Sequence, residues 1–341
     1  MTEINRRLLL KTRPEGRVKN SDFDLVEEAI PTIGEGEALV RTTYLSLDPT
    51  NRVWMTDQPG YLPPVQIGEV MRSGGLGRVV ESNNPKYKVG QLVNGFTGWQ
   101  DYTVASDSMP FTPLPEGLPV PDSAFLGALG MTGLTAYFGI TDVAKVQAGE
   151  TVVISAAAGA VGSVAGQVAK ILGARVVGIA GGPEKCAEVV ERYGFDVCLD
   201  YREPNLTRRL REVCPKGVDL YFDNVGGEIL DAVLLNIAMR GRIVLCGAIS
   251  QYNESEGFGL KNHTMMIMRR ASMQGFIVLD YANRYGEAQL ELGGMVLSGQ
   301  LRHSEHIVTG LENAPVALNL LFSGGNHGKT LVVVDPTVTL S

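Results

Sequence analysis

The chain has 341 residues, 44% of them hydrophobic, and sets 30 Lys and Arg against 37 Asp and Glu for a formal net charge of −7. That length admits about two domains with their own cores, and the acidic balance, with its basic residues scattered, argues against a nucleic-acid or anionic-membrane partner. Met1-Thr2-Glu3-Ile4-Asn5-Arg6-Arg7 leads to only Leu8-Leu9-Leu10 before Lys11, too short for a signal h-region, and no apolar run reaches bilayer length. The sequence therefore reads as a soluble, cytoplasmic chain.

Residues 1–129 look like short strands broken by turns. Glu37-Ala38-Leu39-Val40-Arg41-Thr42-Thr43-Tyr44-Leu45 alternates as a strand, and Gly77-Arg78-Val79-Val80-Glu81-Ser82 resembles another. Pro59, Pro63, Pro64, Pro85, Pro110, Pro113, Pro115, Pro119 and Pro121 exclude long helices and suit a small twisted barrel, with Trp99 in one of its strands and Trp54 near a pocket rim. From residue 130 the texture becomes strand and helix in alternation. Strands are expected at Thr151–Ser155, Arg175–Ala180, Val197–Leu199, Asp219–Asp223 and Arg242–Cys246, with helices from Ala160, from Pro183, near Asn205–Cys214 and after Gly227. That order predicts an α/β domain with a doubly wound parallel sheet over residues 130–303. Leu301 to Val334 returns to short extended segments and is expected to rejoin the first domain, giving a mainly β unit of residues 1–129 and 304–341.

Two absences narrow the chemistry. No cysteine or histidine occurs in residues 1–150, so that half lacks the ligands of a catalytic zinc and any histidine acid or base. His303 and His306 are spaced like ligands on a helix turn but fall in an extended stretch without a third partner. Cys186, Cys198, Cys214 and Cys246 lack C-x-x-C spacing and read as small, reduced interior residues. Met265-Met266-Ile267-Met268 reads as core or interface filling, and Arg269-Arg270 as a solvated helix end.

The segment Val152-Val153-Ile154-Ser155-Ala156-Ala157-Ala158-Gly159-Ala160-Val161-Gly162-Ser163 joins a buried strand, a small-residue turn and a helix start. Gly159 and Gly162 take the second and third glycine places of a G-x-G-x-x-G pattern, with Ala157 in the first, so the backbone can approach a pyrophosphate at the helix N-terminus. An NAD enzyme places an acid at the end of the next strand; here Gly181-Gly182-Pro183-Glu184-Lys185 follows Ala180. The missing acid and the nearby Lys185 point to the 2′-phosphate of NADP(H).

At this point the chain resembles the zinc-independent medium-chain dehydrogenase/reductases, in the group of leukotriene B4 dehydrogenase/prostaglandin reductases, alkenal double-bond reductases and curcumin reductase. The resemblance runs nearly end to end through Tyr44–Pro49, Gly98–Tyr102, Gly130–Tyr137, Ala156–Gly166, Tyr221–Gly227, Cys246–Asn253 and Gln274–Val278. It implies a GroES-like, mainly β catalytic domain beside a Rossmann domain, a homodimer, and NADPH-dependent reduction of the carbon–carbon double bond of an α,β-unsaturated ketone or aldehyde. Carried over, Gly159, Ala160, Val161, Gly162 and Ser163 would hold the pyrophosphate, and Lys185 and Tyr201 the 2′-phosphate. Asn224, with Cys246, Gly247, Ala248, Ile249, Ser250 and Tyr252, would line the nicotinamide ribose. Phe276, Ile277, Val278 and Asn326 would close over the nicotinamide end, with Thr135, at the start of a helix, close to the cofactor. Many relatives read Asp-Pro-Tyr-Met-Arg where this chain has Asp48-Pro49-Thr50-Asn51-Arg52, so an aromatic wall is missing and Tyr61 is a candidate replacement.

Hydride addition to an enone places negative charge on the carbonyl oxygen, which calls for a hydrogen-bond donor. A phenol, with a reference pKa of about 10, is protonated at neutral pH and meets that need. Tyr252 is the first candidate, set against a purely packing role in which its hydroxyl bonds the backbone; Tyr61 is the second, set against a role as loop anchor. Two other readings stay open: a zinc-free NADPH quinone reductase, and a non-catalytic dinucleotide-binding protein.

Overall fold

The structure is a computed structural model that describes residues 4–335 and Thr337. Met1–Glu3, Pro336 and residues 338–341 lie outside the described residues, and with them the start of the N-terminal segment and the end of the tail read above. The chain divides into two compact units, Met1–Leu126 with Glu305–Ser341, and Gly127–Ser304.

The first unit is mainly β. Strands β1 (Ile4–Leu10) and β2 (Phe23–Ala29) form an antiparallel pair. Strands β3 (Ala38–Leu47), β4 (Gly75–Ser82), β5 (Leu92–Gly95), β6 (Tyr102–Ala105) and β7 (Thr112–Pro113) join β14 (Glu305–Thr309) and β15 (Lys329–Val333) in a seven-stranded sheet. The short helix α1 (Pro49–Trp54) follows β3 directly. Trp99 is fully buried, but in a bend rather than a strand, its ring 5.2 Å from that of Phe23. Trp54 is also buried, edge-on to Phe96 and beneath the Arg72 guanidinium at 5.4 Å, which makes it a packing residue rather than a rim.

One expectation for this unit is overturned. The tail is not all extended: Ala314–Ser323 forms helix α9, with Pro315 in its first turn and Ala314, Pro315, Ala317 and Leu318 buried. Leu318 and Ala317 enter the same cluster as Leu45, Leu47 and Val332. A ten-residue apolar run is compatible with strand or helix by pattern alone, and the buried face decides for helix.

The second unit carries strands β8 (Thr151–Ser155), β9 (Arg175–Ala180), β10 (Val197–Asp200), β11 (Val218–Asp223), β12 (Ile237–Leu245) and β13 (Ser272–Gly275). They run parallel in the order β10-β9-β8-β11-β12-β13. The helices are α2 (Met131–Phe138), α3 (Ala160–Ile171), α4 (Pro183–Glu191), α5 (Leu206–Val213), α6 (Gly227–Leu234), α7 (Met265–Arg269) and α8 (Tyr285–Leu297). Helix α2 begins four residues before Thr135, not at it. Val152, Val153, Ile154, Val176, Val177 and Ile179 are fully buried, as strands covered on both faces require. The strand order reverses between β8 and β11, and in such sheets the crevice at that reversal, beyond the carboxyl ends of the strands, takes the ligand.

Candidate active site

The β8–α3 turn is built for a close approach. Ala156 sits at φ 48°, in the left-handed region, and turns the chain off Ser155. A Cβ on Gly162 would lie 2.3 Å from the Ala156 carbonyl oxygen, so only glycine lets α3 start this near the strand. Gly159 is the N-cap of α3 and supplies no side-chain cap, so the first-turn amides of Ala160, Val161 and Gly162 are left to another acceptor. The amide of Ser163 already donates to the Gly159 carbonyl at 3.0 Å.

A second cluster lies at the ends of β9 and β10. Parallel register sets Asp200 beside Ala180, and the Asp200 Oδ1 atom accepts the backbone N–H groups of Gly182 and Arg202, both at 2.9 Å. Its carboxylate thus shapes the turn. The Tyr201 ring covers Gly181, where a Cβ would meet it at 2.8 Å, and the Arg202 guanidinium stands 3.2 Å from the corresponding point on Gly182. Lys185, in the first turn of α4, has its pKa lowered by burial and then by the charge of Arg202, with Glu188 opposing. Two cations held together at a cost are relieved by a dianion such as a phosphate monoester. Arg202 was not among the residues expected here.

The nicotinamide-side candidates of the second unit gather at the ends of β11 and β12. Asn224 donates its backbone N–H to the Ser155 hydroxyl at 2.9 Å and its side-chain amide to the Ser155 carbonyl at 2.7 Å. The loop after β12 is laced to the same turn. Cys246 and Gly247 donate to the Asp223 carbonyl, Ile249 to that of Asn224 and Ser250 to that of Val225. The Tyr252 hydroxyl accepts the Ala248 N–H at 3.0 Å. The Phe276 ring lies edge-on to that of the buried Phe222, with centroids 6.4 Å apart. The Thr135 hydroxyl donates to the Met131 carbonyl at 2.7 Å, a bond within its own helix.

Tyr61 and Asn326 belong to the first unit. The Tyr61 hydroxyl is hydrogen-bonded to that of Thr50, and the Asn326 amide donates to the Gly328 carbonyl at 3.1 Å. The block around Thr50 is otherwise anchored inward. Asn51 accepts the Asp48 N–H at 2.7 Å and donates to the Arg72 carbonyl at 3.1 Å. Arg52 is buried and donates to the carbonyls of Gly16 and Pro14. The Lys329 ammonium, 3% exposed, donates to Asp48 at 2.6 Å and to the Leu47 carbonyl at 2.8 Å.

Among the described residues no group of three or more His, Cys, Asp or Glu side chains is arranged to hold a metal ion, and no helix is long and apolar enough to cross a membrane. His306 lies within β14 and His303 just before it.

Comparison with known proteins agrees with this architecture. Residues 6–112 match the family model described as the N-terminal domain of oxidoreductase, and residues 160–292 that described as zinc-binding dehydrogenase. The chain is 44% identical over 338 residues to the NADPH-dependent curcumin reductase of Escherichia coli strain K12, covering 97% of each chain. It is 39% identical to the 2-alkenal reductase (NADP(+)-dependent) of Nicotiana tabacum, over 97% of this chain and 98% of that one. The crystal structure of CurA from Vibrio vulnificus in complex with NADPH superposes with a TM-score of 0.92 at 41% identity, over 97% of this chain and 99% of that one. On this similarity the chain belongs to the zinc-independent medium-chain dehydrogenase/reductases, in the group of the curcumin, alkenal and prostaglandin reductases.

Proposed function

We infer that the chain is an NADPH-dependent reductase of the carbon–carbon double bond of α,β-unsaturated ketones and aldehydes. The observation that carries the cofactor is the uncapped glycine turn at the start of α3 together with Tyr201 and Arg202 standing over Gly181 and Gly182, with Lys185 in the helix turn that follows. The substrate class follows from its relatives, named for reducing curcumin and 2-alkenals with NADPH or NADP(+).

Bound NADPH supplies a hydride to the β-carbon of the enone, and the chain's residues handle the rest. We assign Gly159, Ala160, Val161, Gly162 and Ser163 to the pyrophosphate, Lys185, Tyr201 and Arg202 to the 2′-phosphate, and Asn224 with Cys246–Tyr252 to the nicotinamide ribose. Phe276–Val278 and Thr135 are assigned to the border of that half of the site, and Asn326 is proposed as a cofactor-binding residue of the mainly β unit. Tyr252 is assigned the hydrogen bond to the forming enolate oxygen. By accepting the Ala248 N–H, its oxygen becomes better able to carry the charge left when it gives up a proton. The α-carbon is protonated by that phenol or by water. Tyr61, steadied by Thr50, is assigned to the substrate wall and serves as the second hydroxyl. The mainly β unit then recognises substrate and the parallel-sheet unit holds cofactor.

A homodimer is the proposed assembly. It is supported by the edge position of β13 and by Ile267 and Met268, which are 77% and 65% exposed in neighbouring α7, whereas Met265 and Met266 pack against the core. A cytoplasmic setting is proposed too, and four unpaired cysteines suit it. The test is incubation with NADPH and a simple enone, then a quinone, following cofactor oxidation and product mass. Two added hydrogens on the alkene support the proposal; a quinol alone would assign a quinone reductase, and no turnover a non-catalytic binding protein.

A further inference from the structure

Asp223 closes β11, opposite the end of β8 where the strand order reverses, and its side chain is fully buried. Four donors converge on its Oδ1 atom: the Tyr221 hydroxyl at 2.7 Å, the Ser155 hydroxyl at 3.2 Å, and the backbone N–H groups of Val225 and Gly226, both at 2.9 Å. Oδ2 has no hydrogen-bond partner. The backbone carbonyl of the same residue receives Cys246 and Gly247. One residue thus ties together the end of β8, the 224–226 turn and the loop after β12. Ser155 in turn holds Asn224 by two hydrogen bonds.

We propose that Asp223 is a positioning residue for the nicotinamide-ribose half of the cofactor site, its carboxylate acting through Ser155 on Asn224 and, through the Val225 and Gly226 amides, on the turn whose carbonyls hold the 246–252 loop. Burial pushes the Asp223 carboxyl up from its ordinary range, and the surrounding donors offset part of that penalty. A carboxylate kept in so dry a place, with one oxygen unpartnered, costs stability that a hydrophobic residue would not. What the cost obtains is a turn whose Asn224 amide and loop amides are fixed before ligand arrives. The inference rests on the NADPH reading above, and its test separates the two.

The experiment is equilibrium binding of NADPH and, separately, of adenosine 2′,5′-bisphosphate, which reaches only the Gly159–Ser163 and Lys185–Arg202 end. Asp223→Asn keeps the size but puts an amide nitrogen or a weaker acceptor among the four donors. It should weaken NADPH about tenfold while leaving the bisphosphate within about twofold. Asn224→Ala should do the same, and the double variant should lose less than the product of the two single effects, as expected of residues that share a path. If Asp223→Asn does not fold, Ser155→Ala removes one spoke and should show the same selectivity in smaller measure. Equal loss of both ligands, or additive single effects, would overturn the positioning role. Wild-type protein that binds the bisphosphate but not NADPH, or neither, would instead overturn the cofactor reading.

Discussion

Lys185→Ala tests the cofactor assignment most directly. The ammonium is half-buried, and its pKa is lowered by burial and by Arg202, so the free protein holds a cation in a place that disfavours it. A charge-assisted hydrogen bond to a phosphate is worth about 1.5–3 kcal/mol, so the variant should lose about 10- to 150-fold in NADPH affinity. NADH, without the 2′-phosphate, gains nothing from Lys185, and removing one of two like charges should leave its affinity level or slightly improved. Arg202→Ala should act in the same direction but less, because its side chain is exposed. The pH dependence has a definite sign. A bound phosphate raises the Lys185 pKa above its value in the free protein, so binding takes up a proton. Above the titration of the 2′-phosphate itself, at about pH 6, NADPH affinity is then level while Lys185 stays protonated and falls as pH rises through the lowered pKa of the free protein. Fluorescence titration with both dinucleotides across that range is the assay. An unchanged NADPH-to-NADH ratio in both variants, or the same alkaline fall in Lys185→Ala as in wild type, would refute the reasoning.

Three further outcomes follow from the geometry. Tyr252→Phe should lower enone turnover about 100-fold while NADPH binding stays within about threefold, measured by steady-state kinetics and titration; unchanged turnover removes the donor role. Lys329→Met takes away the buried ammonium that faces Asp48 and the Leu47 carbonyl, and should cost about 3 kcal/mol in urea unfolding; a change under about 0.5 kcal/mol would make the pair dispensable. Gly166→Ala places a Cβ 1.8 Å from the buried Phe195 ring, so overpacking of about 1–3 kcal/mol should exceed the roughly 1 kcal/mol that alanine gains in a helix, and the melting temperature should fall, not rise.

The parallel sheet was legible because its strands are apolar on both faces and separated by glycine-marked turns, so Thr151–Ser155 and Arg175–Ala180 stand where the periodicity puts them. The phosphate turn was legible for the same local reason. Arg202 was not, because its approach to Lys185 depends on the register that sets Asp200 beside Ala180, a relation between residues distant in sequence. Asp223 escaped notice likewise: its donors come from Ser155 on another strand as well as from its own turn. Helix α9 reads as extended in the sequence because Val316 and Leu320 add apolar residues outside the core-facing set of Ala317, Leu318, Leu321 and Phe322, and no polar stripe marks the period. Tyr252 shows the limit of local reading in the other direction. Its bond to the Ala248 N–H is the backbone contact expected of a packing residue, yet that bond also suits a proton donor.

The inward anchoring of Asp48, Asn51 and Arg52 has an evolutionary consequence. Those three hold the frame, whereas the Thr50 and Tyr61 hydroxyls are bonded to each other. On the proposed assignment of Tyr61 to the substrate wall, a lineage carrying this scaffold could vary its substrate preference by exchanging Thr50 and Tyr61.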